Sequence, residues 1–131
     1  MVSRPEQIPN ATRPTDTANA CETLKRAIIT RDADLAASVY AQDAELVVIN
    51  RNYPPSRPLI LRGYPAALDL WRDICGKEMT HSITATVIGQ DGFAIRESCA
   101  YADGGRVVGH VIAELRNGLI VRHLSVDCWD E

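Results

Sequence analysis

Four runs rich in β-branched and aromatic residues fill the second half of the chain, and tight-turn signals separate them. The runs are HSITATVIG, FAIRESCAY, RVVGHVIAEL and LIVRHLSVDCW. Gln90-Asp91-Gly92, Asp103-Gly104-Gly105 and Asn117-Gly118 lie between them, and these residue types favour short hairpin loops. Consecutive hairpins make an antiparallel meander, so this half of the chain is predicted to form one continuous sheet.

The first half of the chain is predicted to be mostly helical. Apolar residues recur at helical spacings from Thr15 onward, and a second short helix runs through Tyr40. The strand AELVVIN follows, then the proline-rich loop RNYPPSRP and the short strand LILRG. Gly63-Tyr64-Pro65 begins a third helix, which ends at Gly76. Helices followed by a meander predict an α+β fold in which the helices cover one face of a curved, mostly antiparallel sheet.

The length of 131 residues fits one domain. Residues 1–14 contain three prolines and few apolar residues, so we expect them to form a flexible N-terminal arm. Residues 15–131 are predicted to form the domain.

Composition excludes several classes of function. The net charge of -3 leaves no basic surface for phosphate backbones, so no nucleic acid partner is expected. The chain has no apolar run of membrane-spanning or signal-peptide type, so we expect no membrane partner and a cytoplasmic location. The four cysteines are widely and irregularly spaced, which favours reduced thiols over a zinc site.

The order of these elements resembles that of the nuclear transport factor 2-like superfamily. The resemblance is carried by YAQDAEL at the end of the second helix, LRGYPAALDLW at the start of the third, and NGLIVRH at the last turn. Over roughly residues 15 to 131 the chain is most similar to polyketide cyclase SnoaL-like and ketosteroid isomerase-like proteins. The resemblance implies a cone-shaped, cystatin-like fold with a small-molecule pocket in its mouth, and a homodimer. The superfamily includes isomerases, cyclases, dehydratases, hydrolases and binding modules, so its fold does not fix a function.

Three positions depart from the ketosteroid isomerase pattern. The resemblance places that family's carboxylate base near Val48 and its two oxyanion-hole residues near Leu24 and Ile112. All three residues are apolar in this chain, so we do not expect steroid isomerisation by that mechanism.

The alternation of side chains along the strands assigns residues to the two faces of the sheet. A two-residue Asn-Gly loop places His110 opposite Ser125, and a two-residue loop before it places Glu97 opposite His110. A bulge at Gly105 would break this parity. The resemblance places pocket positions of the last strand on the same face, and the opposite face suits subunit packing. The predicted pocket face carries Ile95, Glu97, Cys99, Tyr101, Val108, His110, Ile112, His123, Ser125 and Asp127.

Glu97 and His110 are predicted to be a proton-transfer pair, assisted by His123 or Asp127. A histidine beside a carboxylate in a partly apolar cavity can titrate near neutral pH, where proton transfer is most effective. The competing interpretation of each histidine is a hydrogen-bonded core residue. Nucleophilic catalysis by Ser125 is not expected, because a mid-strand serine has its N–H groups committed to the sheet and lacks an oxyanion hole.

Further residues are predicted to contact the ligand from the pocket face, the third helix and the proline-rich loop. These predicted ligand-binding residues are Tyr53, Trp71, His81, Cys99, Tyr101, Ile112 and Ser125. A metal site built from His110, His123 and a carboxylate would suit Zn²⁺ or Fe²⁺, but such sites usually show tighter ligand spacing. No metal ion and no cofactor are therefore predicted.

The leading functional hypothesis is a SnoaL-like enzyme that acts on a small organic molecule by general acid-base chemistry, of isomerase, cyclase or dehydratase type. The alternative is a non-catalytic module that binds a small ligand or a partner. The sequence does not identify the substrate.

Overall fold

The computed structural model describes residues 13–130. Its elements in chain order are α1 (Pro14–Thr30), α2 (Ala33–Ala37), β1 (Tyr40–Ile49), β2 (Leu59–Arg62), α3 (Tyr64–Gly76), β3 (Met79–Ile88), β4 (Gly92–Tyr101), β5 (Arg106–Arg116) and β6 (Leu119–Trp129). The predicted arm over residues 1–14 lies almost wholly outside the described residues. Within residues 13–130, no helix has both the length and the apolar character that a membrane span requires.

The six strands form one sheet in the order β2-β1-β6-β5-β4-β3. All neighbouring strands are antiparallel except β1 and β6, which run parallel. The helices contact the sheet through α1 on β3 and β4 and through α3 on β1 and β2. The predicted α+β architecture, with helices against a curved and mostly antiparallel sheet, is confirmed.

Amphipathic spacing positions two helices on the sheet. In α1, Cys21, Leu24 and Ile28 are buried, and their spacing of three and four residues places them on one helix face. In α3, Trp71 and Cys75 are buried one helical turn apart. The third helix therefore aligns an indole and a thiol along the interior.

The second helix ends earlier than predicted. It stops at Ala37, and Tyr40 begins β1 although the sequence pattern favoured helix through that residue. The N–H of Ile120 donates to the carbonyl of Val39 over 2.8 Å. Pairing with β6 therefore takes Val39 and Tyr40 out of the helix, which is a tertiary effect on a short segment of weak local preference.

A three-residue loop joins β4 to β5. Gly104 has a φ of 95°, and its N–H donates to the carbonyl of Tyr101 over 3.0 Å. A turn that ends with a residue in the left-handed region is typical of three-residue hairpins. Because the loop has one residue more than predicted, Glu97 pairs with Gly109 rather than with His110.

A β-bulge shifts the pairing of β5 with β6. The hairpin turns at the predicted Asn-Gly dipeptide, with φ values of 59° and 79°. Leu115 pairs with Ile120, but Glu114 pairs with Arg122, so Val121 is an extra residue on β6. When the pairing register of two strands shifts by one residue, every side chain of one strand moves to the other face of the sheet relative to its partner.

The longer β4-β5 loop and the bulge on β6 both change the pairing of β5. As a result, the side chains of β5 that were predicted to lie on the pocket face lie on the opposite face of the sheet. The residues of β5 that face the helices are Gly109, Val111, Ala113 and Leu115, and those that face outward include Val108, His110 and Ile112. The predicted placement of Val108, His110 and Ile112 on the pocket face is therefore wrong. The neighbouring strands keep the predicted faces, since Ile95, Glu97, Cys99, His123 and Ser125 are buried.

Candidate functional site

His81, Glu97 and Cys99 form a buried cluster on the helix-facing side of β3 and β4. His81 pairs with Cys99 across the two strands, which places Glu97 beside the imidazole on the same face. His81 Nδ1 lies 3.0 Å from Glu97 Oε2 and 3.2 Å from Cys99 Sγ. The side chain of His81 is 1% exposed and that of Glu97 is 12% exposed. Solvent therefore reaches this cluster at Glu97, with His81 behind it.

Both contacts of His81 involve the same ring nitrogen. A relay from a thiol through imidazole to a carboxylate needs one contact at each nitrogen, so a nucleophilic Cys99-His81-Glu97 relay is excluded. The carboxylate of Glu97 can only accept, so Nδ1 of His81 donates to it. Within the described residues, His81 Nε2 is buried without a hydrogen-bond partner.

The thiol of Cys99 is protonated in this environment. Burial, reinforced by the negative charge of Glu97, raises the pKa of Cys99 to about 12. Donor atoms of His81, Glu97 and Cys99 lie within 4.8 Å of one another, and an imidazole, a carboxylate and a thiolate would suit a borderline cation such as Zn²⁺. Such an ion would have to displace the proton of the Cys99 thiol.

Gly109 leaves a gap in which two carboxyl groups meet. Glu97, Gly109 and Asp127 occupy paired positions on β4, β5 and β6. A Cβ at position 109 would lie 2.5 Å from Asp127 Oδ1 and 3.6 Å from Glu97 Oε1, so these two oxygens are at most about 6 Å apart. Glycine in a strand interior commonly marks such a close approach.

The environment of Asp127 favours its neutral form. Burial is the main cause and the charge of Glu97 the second, and together they raise the pKa of Asp127 to about 6, against a smaller opposing effect of Lys77. Glu97 meanwhile accepts a hydrogen bond from His81 Nδ1. The gap therefore holds two carboxyl groups with different surroundings, of which Asp127 has the raised pKa.

A second polar group lies deeper in the interior, where β1, β6 and α3 meet. The Tyr40 hydroxyl is 2.7 Å from His123 Nδ1. The indole of Trp71 meets the His123 ring edge-on, with ring centroids 6.5 Å apart and an interplanar angle of 72°. His123 is 3% exposed, and within the described part of the chain its Nε2 is buried without a hydrogen-bond partner.

Burial keeps both members of the Tyr40-His123 pair uncharged. It lowers the pKa of His123 to about 4, and it raises the pKa of the Tyr40 phenol well above its ordinary value. A neutral phenol beside a neutral imidazole shares a single proton in their contact. The pair can donate or accept hydrogen bonds but carries no charge near neutral pH.

No protein-family model matches the sequence, and no curated protein matches it. Solved structures do match. A nuclear transport factor 2-like protein of unknown function from Mesorhizobium loti superposes with a TM-score of 0.76 at 22% identity, over 88% of this chain and 93% of that one. A second protein of this kind, from Burkholderia xenovorans LB400, gives 0.72 at 19% identity, over 86% and 83%.

The chain has the nuclear transport factor 2-like fold. A candidate ketosteroid isomerase from Kribbella flavida DSM 17836 shares it, with a TM-score of 0.71 at 19% identity over 92% of this chain and 82% of that chain. At these identities the likeness concerns the fold.

Within this nuclear transport factor 2-like fold, the predicted site residues separate into three groups. The first group lies around Glu97 and consists of Glu97, Cys99, His81 and Asp127. The second is the deeper group, in which His123 and Trp71 lie with Tyr40. Ser125 is buried on β6 between these two groups. His110 and Ile112 lie on the outer face, and Tyr53 and Tyr101 are exposed at 38% and 37%.

The predicted pair of His110 and Glu97 is wrong, because the two shifts of β5 turn His110 outward. His81 takes its place beside Glu97. Ile112 is 51% exposed, so it does not occupy the pocket position that the resemblance assigned to it.

Two residues of these groups were missed by the sequence analysis. Gly109 carries a recognisable signal, since glycine within a strand marks a close approach of neighbouring groups. Tyr40 carries none, because it was predicted at the end of a helix and only the pairing of β1 with β6 brings it to His123.

A shallow surface groove lies away from both polar groups. Its lining residues are Asp16, Asn19, Ala20, Thr23, Ser38, Val39, Asn117, Gly118 and Leu119. This lining surrounds the β5-β6 turn and includes none of the predicted site residues.

Proposed function

We propose that the chain is an enzyme that performs acid-base chemistry on a small organic molecule, with Glu97 and Asp127 as the proton-transferring groups. The observation that carries the proposal is the gap at Gly109, which brings the two carboxyl groups together, and burial beside Glu97 raises the pKa of one of them, Asp127, to about 6. Adjacent titratable groups whose environments separate their pKa values are suited to serve as acid and base. Isomerase, cyclase and dehydratase reactions commonly use positioned general acids and bases of this kind.

Each residue has a defined role in this proposal. Glu97, which accepts a hydrogen bond from His81, is the base that removes a proton from the substrate. Asp127, whose pKa is about 6, is the acid that returns one. His81 is a positioning residue, because its contact with the substrate site passes through Glu97 and its own side chain is 1% exposed.

The proposal is tested with a panel of enolisable ketones, β-hydroxyketones and epoxides, followed by proton NMR. We expect Glu97→Gln and Asp127→Asn each to reduce turnover at least about a hundredfold, the usual contribution of a general acid or base. Glu114→Gln is the matched control, since Glu114 is exposed on the outer face of β5. Turnover that persists in Glu97→Gln would refute the assignment.

The alternative function is a non-catalytic module that binds a small ligand. The sealed position of His81 and the depth of His123 favour it. A wild-type protein that turns over none of the panel, yet binds members of it in the interior, would support this alternative.

We further propose that the chain forms a homodimer through the outer face of β5 and β6. Exposed apolar side chains cluster there, with Val108 at 44%, Ile112 at 51% and Val126 at 44% exposure. Val126 pairs with His110, which lies between Val108 and Ile112 on the outer face of β5. A cluster of exposed apolar side chains of this kind usually marks an interface.

The oligomeric state tests this interface. We expect wild-type protein to elute as a dimer in size-exclusion chromatography with light scattering, and Ile112→Glu to elute as a monomer. Ile29→Glu is the control, because Ile29 is also exposed, at 54%, but lies on α1. A wild-type monomer would refute the dimer.

A reducing, cytoplasmic setting is proposed from the thiols. Cys21, Cys75, Cys99 and Cys128 are all free in the structure. Free buried thiols are typical of proteins kept in reducing compartments.

A further inference from the structure

We propose that His81, Glu97 and Cys99 form a binding site for one divalent transition-metal ion of the Zn²⁺ type. The site lies on the helix-facing side of β3 and β4. This inference goes beyond the proposed acid-base function, because the binding of an ion requires no turnover. It also assigns a ligand to the Cys99 thiol, which the acid-base step does not use.

The pairing of two strands holds the three side chains together. His81 and Cys99 are partners in the antiparallel pairing of β3 with β4, so their side chains lie on the same face of the sheet. Glu97 precedes Cys99 by two residues on β4 and therefore shares that face. Ligands that strands carry are held more precisely than ligands on loops. The three donor groups are therefore close together before an ion arrives.

The spacing of the donor atoms suits tetrahedral coordination. In a tetrahedral zinc site, bonds of about 2.0–2.3 Å place neighbouring ligand atoms about 3.3–3.6 Å apart. His81 Nδ1 lies 3.0 Å from Glu97 Oε2 and 3.2 Å from Cys99 Sγ. A carboxylate oxygen of Glu97 lies within 4.8 Å of that sulfur. Modest side-chain rotations would therefore place one ion in contact with all three atoms.

The types of donor select the kind of ion. An imidazole nitrogen and a thiolate suit Zn²⁺ and Co²⁺, whereas Mg²⁺ and Ca²⁺ prefer sites made of oxygen ligands. Three protein ligands leave the fourth tetrahedral position to water. Solvent reaches the cluster at Glu97, whose side chain is 12% exposed, so the ion and its water can enter from that side.

Binding displaces protons from two of the ligands. The thiol of Cys99 gives its proton to solvent, and the sulfur then forms a bond with the ion. His81 Nδ1 loses the proton that it donates to Glu97, so the bound ring carries its one proton on Nε2. That nitrogen has no hydrogen-bond partner among residues 13–130, and metal-binding histidines usually have one there. We therefore expect micromolar binding, weaker than that of a structural zinc site.

A bound ion and the proposed acid-base step exclude each other at Glu97. Coordination to a cation withdraws electron density from the carboxylate, which makes it a weaker base. A saturating concentration of Zn²⁺ should therefore lower turnover, if Glu97 is the base.

The experiment titrates reduced, metal-free protein with Co²⁺, which replaces Zn²⁺ in tetrahedral sites and gives a near-ultraviolet charge-transfer band when a thiolate binds it. We expect the band to saturate at one ion per chain in wild type, and to be lost on addition of excess Zn²⁺ but not of excess Mg²⁺. Cys99→Ser should lack the band. Cys128→Ser is the matched control and should keep it, because Cys128 is an exposed thiol on β6.

Two further variants test the other ligands. We expect Glu97→Gln and His81→Gln each to weaken Co²⁺ binding at least about tenfold, and Glu114→Gln, at an exposed position on β5, to leave it unchanged. Should a variant fail to fold, cadmium-113 NMR of wild type decides, since the chemical shift of the bound ion reports whether a thiolate is among its ligands.

Four results would overturn the inference: no charge-transfer band in wild type, an unchanged band in Cys99→Ser, a cadmium resonance without a thiolate ligand, or displacement of Co²⁺ by Mg²⁺ as readily as by Zn²⁺. Turnover measured with and without Zn²⁺ separates the inference from the proposed function. If the ion binds but wild-type turnover persists at saturation, only the role of Glu97 as base fails. If no ion binds but turnover depends on Glu97, only the metal site fails.

Discussion

Glu97 and Asp127 face each other across Gly109, on strands that flank it on either side. Gly109, on the middle strand β5, has only a hydrogen atom at the position where any other residue would have a side chain. The proximity of the two carboxyl groups therefore depends on a glycine that belongs to neither of their strands.

Gly109→Ala should separate the two carboxyl groups. The new Cβ would lie 2.5 Å from Asp127 Oδ1, so the carboxyl must rotate away. We expect a loss of stability of about 1 kcal/mol, because the end of a short side chain moves rather than backbone. Turnover should fall by about a hundredfold, the effect of misplacing a reacting group by roughly 1 Å.

Gly76→Ala is the matched control for that substitution. A Cβ at Gly76 meets nothing within 4 Å. Urea denaturation and the NMR assay of turnover should show no loss in this variant. Equal behaviour of the two alanine variants would contradict the role of Gly109.

Asp127→Asn should change how stability depends on pH. The pKa of Asp127 rises from 3.8 to about 6 on folding, so its contribution is full below about pH 4 and is lost as the pH rises through 6. His123 acts in the opposite direction: its pKa falls from 6.5 to about 4, so stability is present above pH 6.5 and is lost as the pH falls toward 4. In wild type the two contributions largely offset each other.

Without the Asp127 carboxyl, the dependence of the free energy of unfolding on pH is set mainly by His123. We expect the free energy of unfolding of Asp127→Asn to fall by about 2 kcal/mol between pH 6.5 and 4.5, and that of wild type to change much less. Asp69→Asn, at an exposed position on α3, should follow the wild-type profile. Urea denaturation across this pH range measures the effect, and a flat profile for Asp127→Asn would argue against it.

His81→Ala and His110→Ala should differ strongly in stability. The first leaves the Glu97 carboxylate without the donor at 3.0 Å and opens a buried space, so we expect a loss of about 2–3 kcal/mol. His110 is exposed on the outer face, and its truncation should change stability by no more than about 0.5 kcal/mol. Similar losses in thermal unfolding would contradict the observed faces of β5.

Tyr40→Phe tests the buried contact with His123. It removes the hydroxyl 2.7 Å from Nδ1 and leaves that nitrogen unpaired in the core, so we expect a loss of about 1–3 kcal/mol. Tyr101→Phe is the control at a position that is 37% exposed. Calorimetry compares the two, and a Tyr40 variant as stable as the Tyr101 variant would show that the hydrogen bond contributes nothing.

Much of the candidate site followed from local patterns. The alternation along β4 and β6 placed Glu97 and Cys99 on one face, and His123 and Asp127 on the same side. The Asn-Gly turn was also located correctly, with both residues at positive φ. These features depend on neighbours in the chain, so a sequence can reveal them.

The sequence by itself determined the order of the elements, the α+β architecture and which residues of β4 and of β6 share a face, because periodicity, proline positions and turn residues act locally. Tertiary structure decided the rest. The loop at Gly104 and the bulge at Val121 each depend on the register that a whole strand pair adopts. Together they place Gly109, rather than His110, on the inner face of β5. Only the packing of β3 against β4 brought His81 to Glu97, since register is fixed by which apolar set the sheet buries.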